Sequence, residues 1–586
     1  MNPKITAISH MLDQAKVYLT DGQTTSAQII LEEVLKKQPR NTDALQLIGI
    51  SFAIEKKFKN AIDFLSKALK TSPGNPRVLF NRGNAYSESG MHKEAVADLE
   101  RTVAIQPTHL EALVALGNSF KELEQFDKAA ARYEQALRLD PNCYKALVNK
   151  GGLLIEEKRF PEALEVLGTA IAVAPEMPEA HSNRGTALIE LGRLEMAIQS
   201  CDNAISVQPD YAKAHYGRGI ALSQLNLLQD ALASTDRAIA LKPDFAESHY
   251  SRGVILSGMR RLDEAAQSYE TSIAIRPDYA DPHLARSINA LLTGQFVDGW
   301  RLYEWRMKMP EIKSHHPTFN EKISWRGTED IRNKKLLVYA EQGFGDTLQF
   351  CRYLPQLRAM GAEISFEIPA ALNSVLATLN CPLTLVTQGD PRGEFDAYCP
   401  LMSLPLAFKT TVETVPAPTR YLSSDQGKVS NWGNILGKKV LPRIGLVWTG
   451  SKAHKNDINR SIALSKILRL TDLPVEWHSL QKDYRPGDDE VLAQHPEIHQ
   501  HQEALEDFSD TAALIECMDL VISVDTSVAH LAGALGKKLW VMLPFVPDFR
   551  WMLDRTDSPW YPTARLFRQP QPGDWDSVIA EIRSAL

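Results

Sequence analysis

The sequence predicts an α-helical repeat array over its first half, followed by an α/β region of two parallel sheets. Two observations predict this. Pro39, Pro73, Pro107, Pro141, Pro175, Pro209, Pro243 and Pro277 stand 34 residues apart, and glycines from Gly49 to Gly253 and alanines from Ala27 to Ala265 keep the same interval in registers of their own. After Lys335 this period ends, and short apolar runs alternate with helical stretches, as in a βαβ series.

The three registers define a helix–turn–helix unit repeated eight times from about residue 8 to 279. The glycines and alanines sit where paired helices approach closely, and each proline stops the second helix of a unit. A 34-residue unit with this pattern resembles the tetratricopeptide repeat. Ala15 takes the glycine place in the first unit, as expected of a terminal repeat. Such arrays bind an extended peptide or protein on their concave face. Asn81, Asn149 and Asn183 share one repeat position, two residues before the glycines, where amides in a row can bond a peptide backbone without reading its sequence. They are the predicted acceptor-binding residues, although Leu47, Ala115, Gly217 and Ser251 interrupt the row. An asparagine ladder inside such a superhelix resembles the nucleocytoplasmic protein O-GlcNAc transferases. Arg82, Lys150, Arg184, Arg218 and Arg252 run alongside, either as a basic stripe for an acidic partner or as a solvated helix face with ion pairs.

A degenerate ninth hairpin follows at roughly 280–310, with Ser287 in the glycine place and Gly299 in the alanine place. Its Trp300, Tyr303 and Trp305 are expected to cap the array and join it to the second half of the chain, in preference to forming a docking surface. The next stretch, 307–333, is polar and broken by prolines, and His315 and His316 in it read as surface residues.

The first βαβ series has strands at Lys335–Ala340, Ile364–Ile368, Leu383–Val386 and Phe395–Tyr398, with helices from Asp346 to about Met360 and from about Ala370 to Leu379. The second has strands at Arg443–Trp448, Val475–Leu480, Leu520–Val524 and Leu539–Leu543, with helices near Leu464–Leu470, at Asp507–Met518, after Asp525, and from Trp575. Two such series suggest facing Rossmann-like halves with ligands beyond the carboxyl ends of the strands. The polar clusters all follow strand ends. Gly343 and Gly345 of GFGD allow close backbone approach, and Asp346 is either a helix cap or a carboxylate able to take a proton. Thr449, Gly450, Lys452, Lys455 and Arg460 form a basic loop suited to a diphosphate. Gln481 and Lys482 follow the next strand. Asp525, Thr526, Ser527, Val528, Ala529 and His530 open a helix whose first N–H groups suit a phosphate.

Composition narrows the classes. With 65 Lys plus Arg against 72 Asp plus Glu, the net charge of −7 argues against a large nucleic-acid surface. Cys143, Cys201, Cys351, Cys381, Cys399 and Cys517 are scattered, with no C-x-x-C pair, which suits a reducing compartment and supports no zinc site. The first residues carry no apolar signal-peptide core, and no apolar run is long enough to span a membrane, so the expectation is a cytoplasmic protein without a membrane span.

The motifs of residues 335–586 resemble the GT-B glycosyltransferases, and most closely the ADP-heptose:lipopolysaccharide heptosyltransferase family, in a version fused to tetratricopeptide repeats. The resemblance rests on GFGD and on VDTSVAHLAGALGKKLWVMLP. It implies that Asp346 is the general base, that Asp525 to His530 bind the donor phosphates, and that Arg460, with Lys455 second, is the cation of the first loop; Glu341 and His454 are further residues that could share the catalytic role. Departures are the short first half of about 100 residues, Ser527 in the third place of a D-T-G motif, and the segment 550–569, which looks like a feature of the fused subgroup. Bacterial flagellin glycosyltransferases share the layout. The predicted domains are a solenoid (1–279), a hairpin and linker (280–334), an acceptor-side half (335–440) and a donor-side half (441–586). The predicted function is inverting, metal-independent transfer from a nucleotide sugar, as co-substrate and with no cofactor, to a protein hydroxyl, flagellin being a plausible acceptor. The alternatives are a non-catalytic adaptor with a relic nucleotide-sugar fold and a transferase acting on a glycolipid.

Overall fold

A computed structural model describes residues 3–310, 312, 319, 321–452 and 456–586. His315, His316, His454 and Lys455 lie outside the described residues. The chain forms two compact units, Met1–Pro243 and Asp244–Leu586. Among the described residues no helix is long and apolar enough to cross a membrane.

The first unit is a series of helical hairpins, from Pro3–Thr20 with Thr24–Lys37 to Ala212–Gln224 with Leu228–Leu241. The glycine register is a steric requirement. A Cβ on Gly83 would lie 2.8 Å from Leu99 Cγ, and one on Gly117 2.5 Å from Tyr133 Cε1. A second register was not visible in residue type. Gly22, Lys56, Gly90, Glu124, Lys158, Gly192 and Asn226 all close their turns with positive φ, between 57° and 78°. Packing of the helices on either side imposes this left-handed residue whatever its side chain. The cations beside the asparagine row are paired: Arg82 with Asp98 (2.6 Å) and Ser66 (2.9 Å), Lys150 with Glu134 (3.2 Å), and Arg218 with Asp202 (2.7 Å) and Ser234 (2.6 Å). The ion-paired helix face, and not an open basic stripe, describes these three. Asn149 Nδ2 donates to Asn118 Oδ1 at 2.9 Å, and Asn81 and Asn183 are half-buried.

The second unit opens with the last hairpins, Ala246–Gly258 with Leu262–Ile275 and Ala280–Leu292 with Phe296–Tyr303. The degenerate hairpin is a compensated exchange. Ser287 Oγ donates to the Gly299 carbonyl at 2.8 Å, and Gly299 is small enough to lie against Leu291. Trp300 is buried edge-on among Phe296, Tyr303, Phe350, Phe549 and Trp560, so the hairpin packs directly on the α/β region. Beyond it, the fully buried Arg306 donates to Glu304 (2.6 Å), Glu341 (2.8 Å) and Ser403 (2.7 Å).

The α/β region has two parallel sheets. β1 (Lys335–Tyr339), β2 (Glu363–Ile368), β3 (Thr384–Thr387) and β4 (Ala397–Pro400) form the first, in the order β3-β2-β1-β4. β5 (Arg443–Val447), β6 (Glu476–Ser479), β7 (Ile498–His499), β8 (Leu520–Val524), β9 (Leu539–Leu543) and β10 (Ala564–Arg568) form the second, in the order β10-β9-β8-β5-β6-β7. One apolar core runs from the last hairpin through the first sheet to one face of the second, and a separate core around Trp448, Trp477 and Phe567 covers the other face. Four elements differ from expectation. The helical run after Asp346 breaks into Phe344–Phe350, a turn at Cys351–Tyr353 and Leu354–Ala359, because Pro355 has no N–H to give the carbonyl four residues back. β7 has only two residues, and β10 carries two arginines, Arg565 and Arg568, so neither reads as a buried strand. The connecting segment between the halves contains a helix, Gln426–Leu436, capped by Asp425.

Candidate functional site

Because every strand is parallel, the carboxyl ends of each sheet lie along one edge, and five of the segments that follow line a single cleft of about 910 Å³. GFGD follows β1, Thr449 to Lys452 and Arg460 follow β5, Gln481 to Arg485 follow β6, Asp525 to Val528 and His530 follow β8, and Asp548 and Arg550 follow β9.

The helix starts of the two halves meet. A Cβ on Gly345 would lie 2.8 Å from His530 Cδ2, so only glycine fits there. His530 cannot yield: its ring stacks on Trp551 and its Nδ1 lies 2.8 Å from Tyr561 Oη. Burial, reinforced by Arg550, Arg352 and Arg460, holds its imidazole well below the usual range, so it is neutral. On the helix Ser527–Ala534, Thr526 is the N-cap residue but makes no side-chain cap bond; its hydroxyl lies 3.1 Å from Ser523 Oγ instead. The first-turn N–H groups therefore face the cleft without a side-chain cap.

Arg460 reaches this helix start, lying across Gly450 and donating to the Asp525 carbonyl at 2.9 Å. Thr449 Oγ1 is buried at the cleft wall without a partner among the described residues. Asp525 is pushed up to about 6, by burial first and then by the charge of Asp548, with Arg550 and Arg460 opposing. Asp346 Oδ2 accepts the Gly343 N–H at 2.9 Å, and its Oδ1 pairs with Arg550 Nη2. Arg550 Nη1 donates to Asp548 at 2.7 Å.

Not every predicted residue offers its polar atoms to the cleft. Gln481 Oε1 accepts from the Trp448 and Thr449 amides at 3.2 Å, and its Nε2 donates to the Thr449 and Asp483 carbonyls, so it ties β5 to β6. Lys482 donates to the carbonyls of Gln502 and Leu505. Ala529 is fully buried and does not line the cleft. Glu341 has no exposed side chain, since Arg306 and the Met402 N–H enclose it and burial raises its pKa. Sequence reasoning missed Asp548, Arg550 and Arg485, the last donating to the Gly450 carbonyl at 2.9 Å. The rule that selected the other segments, polar residues just after a parallel strand, would have found Asp548 and Arg550 after β9.

Residues 505–541, which hold β8 and the helix start, match the family model of glycosyltransferase family 9 (heptosyltransferase). Tetratricopeptide-repeat models match residues 12–76, 52–117, 114–167, 178–211, 197–244 and 216–280. The chain thus carries tetratricopeptide repeats and a heptosyltransferase-family segment, and its helical solenoid followed by two parallel α/β sheets is consistent with a GT-B arrangement. Among curated proteins it is similar to Protein FlbA of Caulobacter vibrioides, 25% identical over 323 residues, which cover 50% of this chain and 53% of that protein. The chain therefore spans about half the length of this relative. Similar solved structures include the APC/C hetero-tetramer Cut9-Hcn1 (18% identical, TM-score 0.39, 49% of this chain and 57% of that one). A tetratricopeptide repeat protein of Parabacteroides merdae (18%, TM-score 0.37, 44% and 99%) is another.

Proposed function

We propose that the chain is an inverting, metal-independent glycosyltransferase. It moves a sugar from a nucleotide-diphosphate or nucleotide-phosphate sugar to a Ser or Thr hydroxyl of a protein recruited by the repeats, in the cytoplasm, with flagellin as the first acceptor to try. The observation that carries this reading is the convergence of five strand-end segments, Arg460, Arg550 and an uncapped helix start on one cleft beside a carboxylate of the opposite half. In this mechanism the donor phosphates take the N–H groups of the Ser527–Ala534 helix and Arg460. Asp346 takes the acceptor proton, the hydroxyl oxygen bonds to the anomeric carbon, and the bond from that carbon to the phosphate oxygen breaks. Arg460 and the helix start, with Thr449 Oγ1 as a further donor, stabilise the leaving phosphate. Asn81, Asn149 and Asn183 are the proposed acceptor contacts on the repeats.

The test is nucleotide release from ADP-, GDP-, UDP- and CMP-linked sugars in the presence of flagellin. Asp346→Asn is expected to abolish transfer while nucleotide binding survives, and full transfer by that variant refutes the base assignment. One observation favours the adaptor reading: Asp346 is paired with Arg550, and Gln481 and Lys482 are committed to backbone carbonyls. Absence of release with every donor and acceptor pair decides for it.

A further inference from the structure

We propose that Arg550 couples donor binding to proton abstraction: the guanidinium paired here with Asp346 moves to the phosphates of a bound nucleotide sugar and leaves the carboxylate to the acceptor hydroxyl. This rests on the reading of the cleft as a nucleotide-sugar site.

Three observations carry it. First, Arg550 joins the two halves, with Nη2 on Asp346 after β1 and Nη1 on Asp548 at 2.7 Å, and all three residues line the cleft. Second, its Nε–H is buried without a partner among the described residues, so the guanidinium retains a donor for a phosphate oxygen. An arginine edge that offers Nε–H and Nη–H together matches a phosphate bidentately. Third, the partners differ in how firmly they are held. Asp548 Oδ1 also accepts the Arg550 backbone N–H at 3.0 Å, as the cap of the turn Phe549–Trp551, so that pair is local and stays. Asp346 belongs to the opposite half and is the partner that can be given up. It remains placed, because its Oδ2 keeps the Gly343 N–H and because Gly345 is wedged on His530.

Charge gives the exchange its direction. Asp346, Asp525 and Asp548 already face Arg550 and Arg460, so a diphosphate must compete with protein carboxylates for the same cations. The competition is with the proposed base itself, so the base is released when the donor is seated.

The test is calorimetric titration of the full-length chain with ADP, GDP and UDP, without acceptor. Asp346→Asn removes the competitor and is expected to tighten binding at least about threefold, as for residues sharing one partner. The gain should vanish in an Arg550→Gln background; Arg550→Lys, which keeps the charge without the fork, serves if Arg550→Gln does not fold. Binding that is unchanged or weakened by Asp346→Asn overturns the exchange while leaving the nucleotide site intact. Failure of every nucleotide to bind the unaltered chain removes the site reading, and the proposal with it.

Discussion

Gly345→Ala tests whether the helix starts of the two halves meet in solution as described. The new Cβ would lie 2.8 Å from His530 Cδ2, 3.5 Å from its Nε2 and 3.6 Å from Ser527 Cα. Carbon atoms in contact sit about 3.5–4.0 Å apart, so the first contact is short by roughly 1 Å. His530 is held on Trp551 and Tyr561, which leaves separation of the helix starts as the way to relieve it. Overpacking of this kind costs about 1–3 kcal/mol, offset by up to about 1 kcal/mol from the better helix propensity of alanine. The expected net loss is about 1–2 kcal/mol, with nucleotide affinity reduced about tenfold or more by displacement of the phosphate site. Gly433→Ala, in the helix Gln426–Leu436, is the control: nothing lies within 4 Å of its Cβ, so nucleotide affinity should be unchanged. Thermal melting and nucleotide titration of both variants give the answer. An unchanged melting temperature and affinity for Gly345→Ala would refute the argument.

Glu341→Gln leaves the buried Arg306 without its anion from the first sheet half and should cost roughly 3 kcal/mol in chemical denaturation; a loss below about 1 kcal/mol would mean that Glu304 suffices. Asp525 is raised to about 6, so the folded state holds its proton more tightly than the unfolded chain, and this residue's contribution to stability falls as pH rises from about 4 to 6. Neutral His530 acts in the opposite sense, lowering stability as pH falls below its unfolded value near 6.5. Asp525→Asn separates the two: its melting temperature relative to the unaltered chain should rise across pH 4–6, and a flat difference would refute the assignment. Glu124→Gly relieves a left-handed residue at a turn where other hairpins have glycine and should stabilise by up to about 1 kcal/mol; destabilisation in a melting experiment would contradict the φ of 57°.

The repeats were legible because one steric need recurs at one spacing: Gly83 faces Leu99 and Gly117 faces Tyr133, sixteen residues on in each case. The left-handed register was hidden because the backbone conformation is imposed by packing and occurs at Lys56 and Glu124 as well as at Gly90. In the α/β region, strand ends located most of the cleft, since parallel strands deliver their carboxyl ends to one edge whatever the loops contain. Side-chain direction was beyond that rule. Gln481 and Lys482 sit in the cleft wall, yet their polar atoms are bound to backbone amides and carbonyls, whereas Arg550, from a segment with no glycine signal, is paired across the cleft to Asp346. A count of cations near a presumed phosphate therefore misjudges such a site. Its attraction for an anion depends on which cations are already neutralised and on how firmly each carboxylate is held. Asp548 is fixed to the arginine's own turn and Asp346 to the other half, a difference in tether that the residue types do not record.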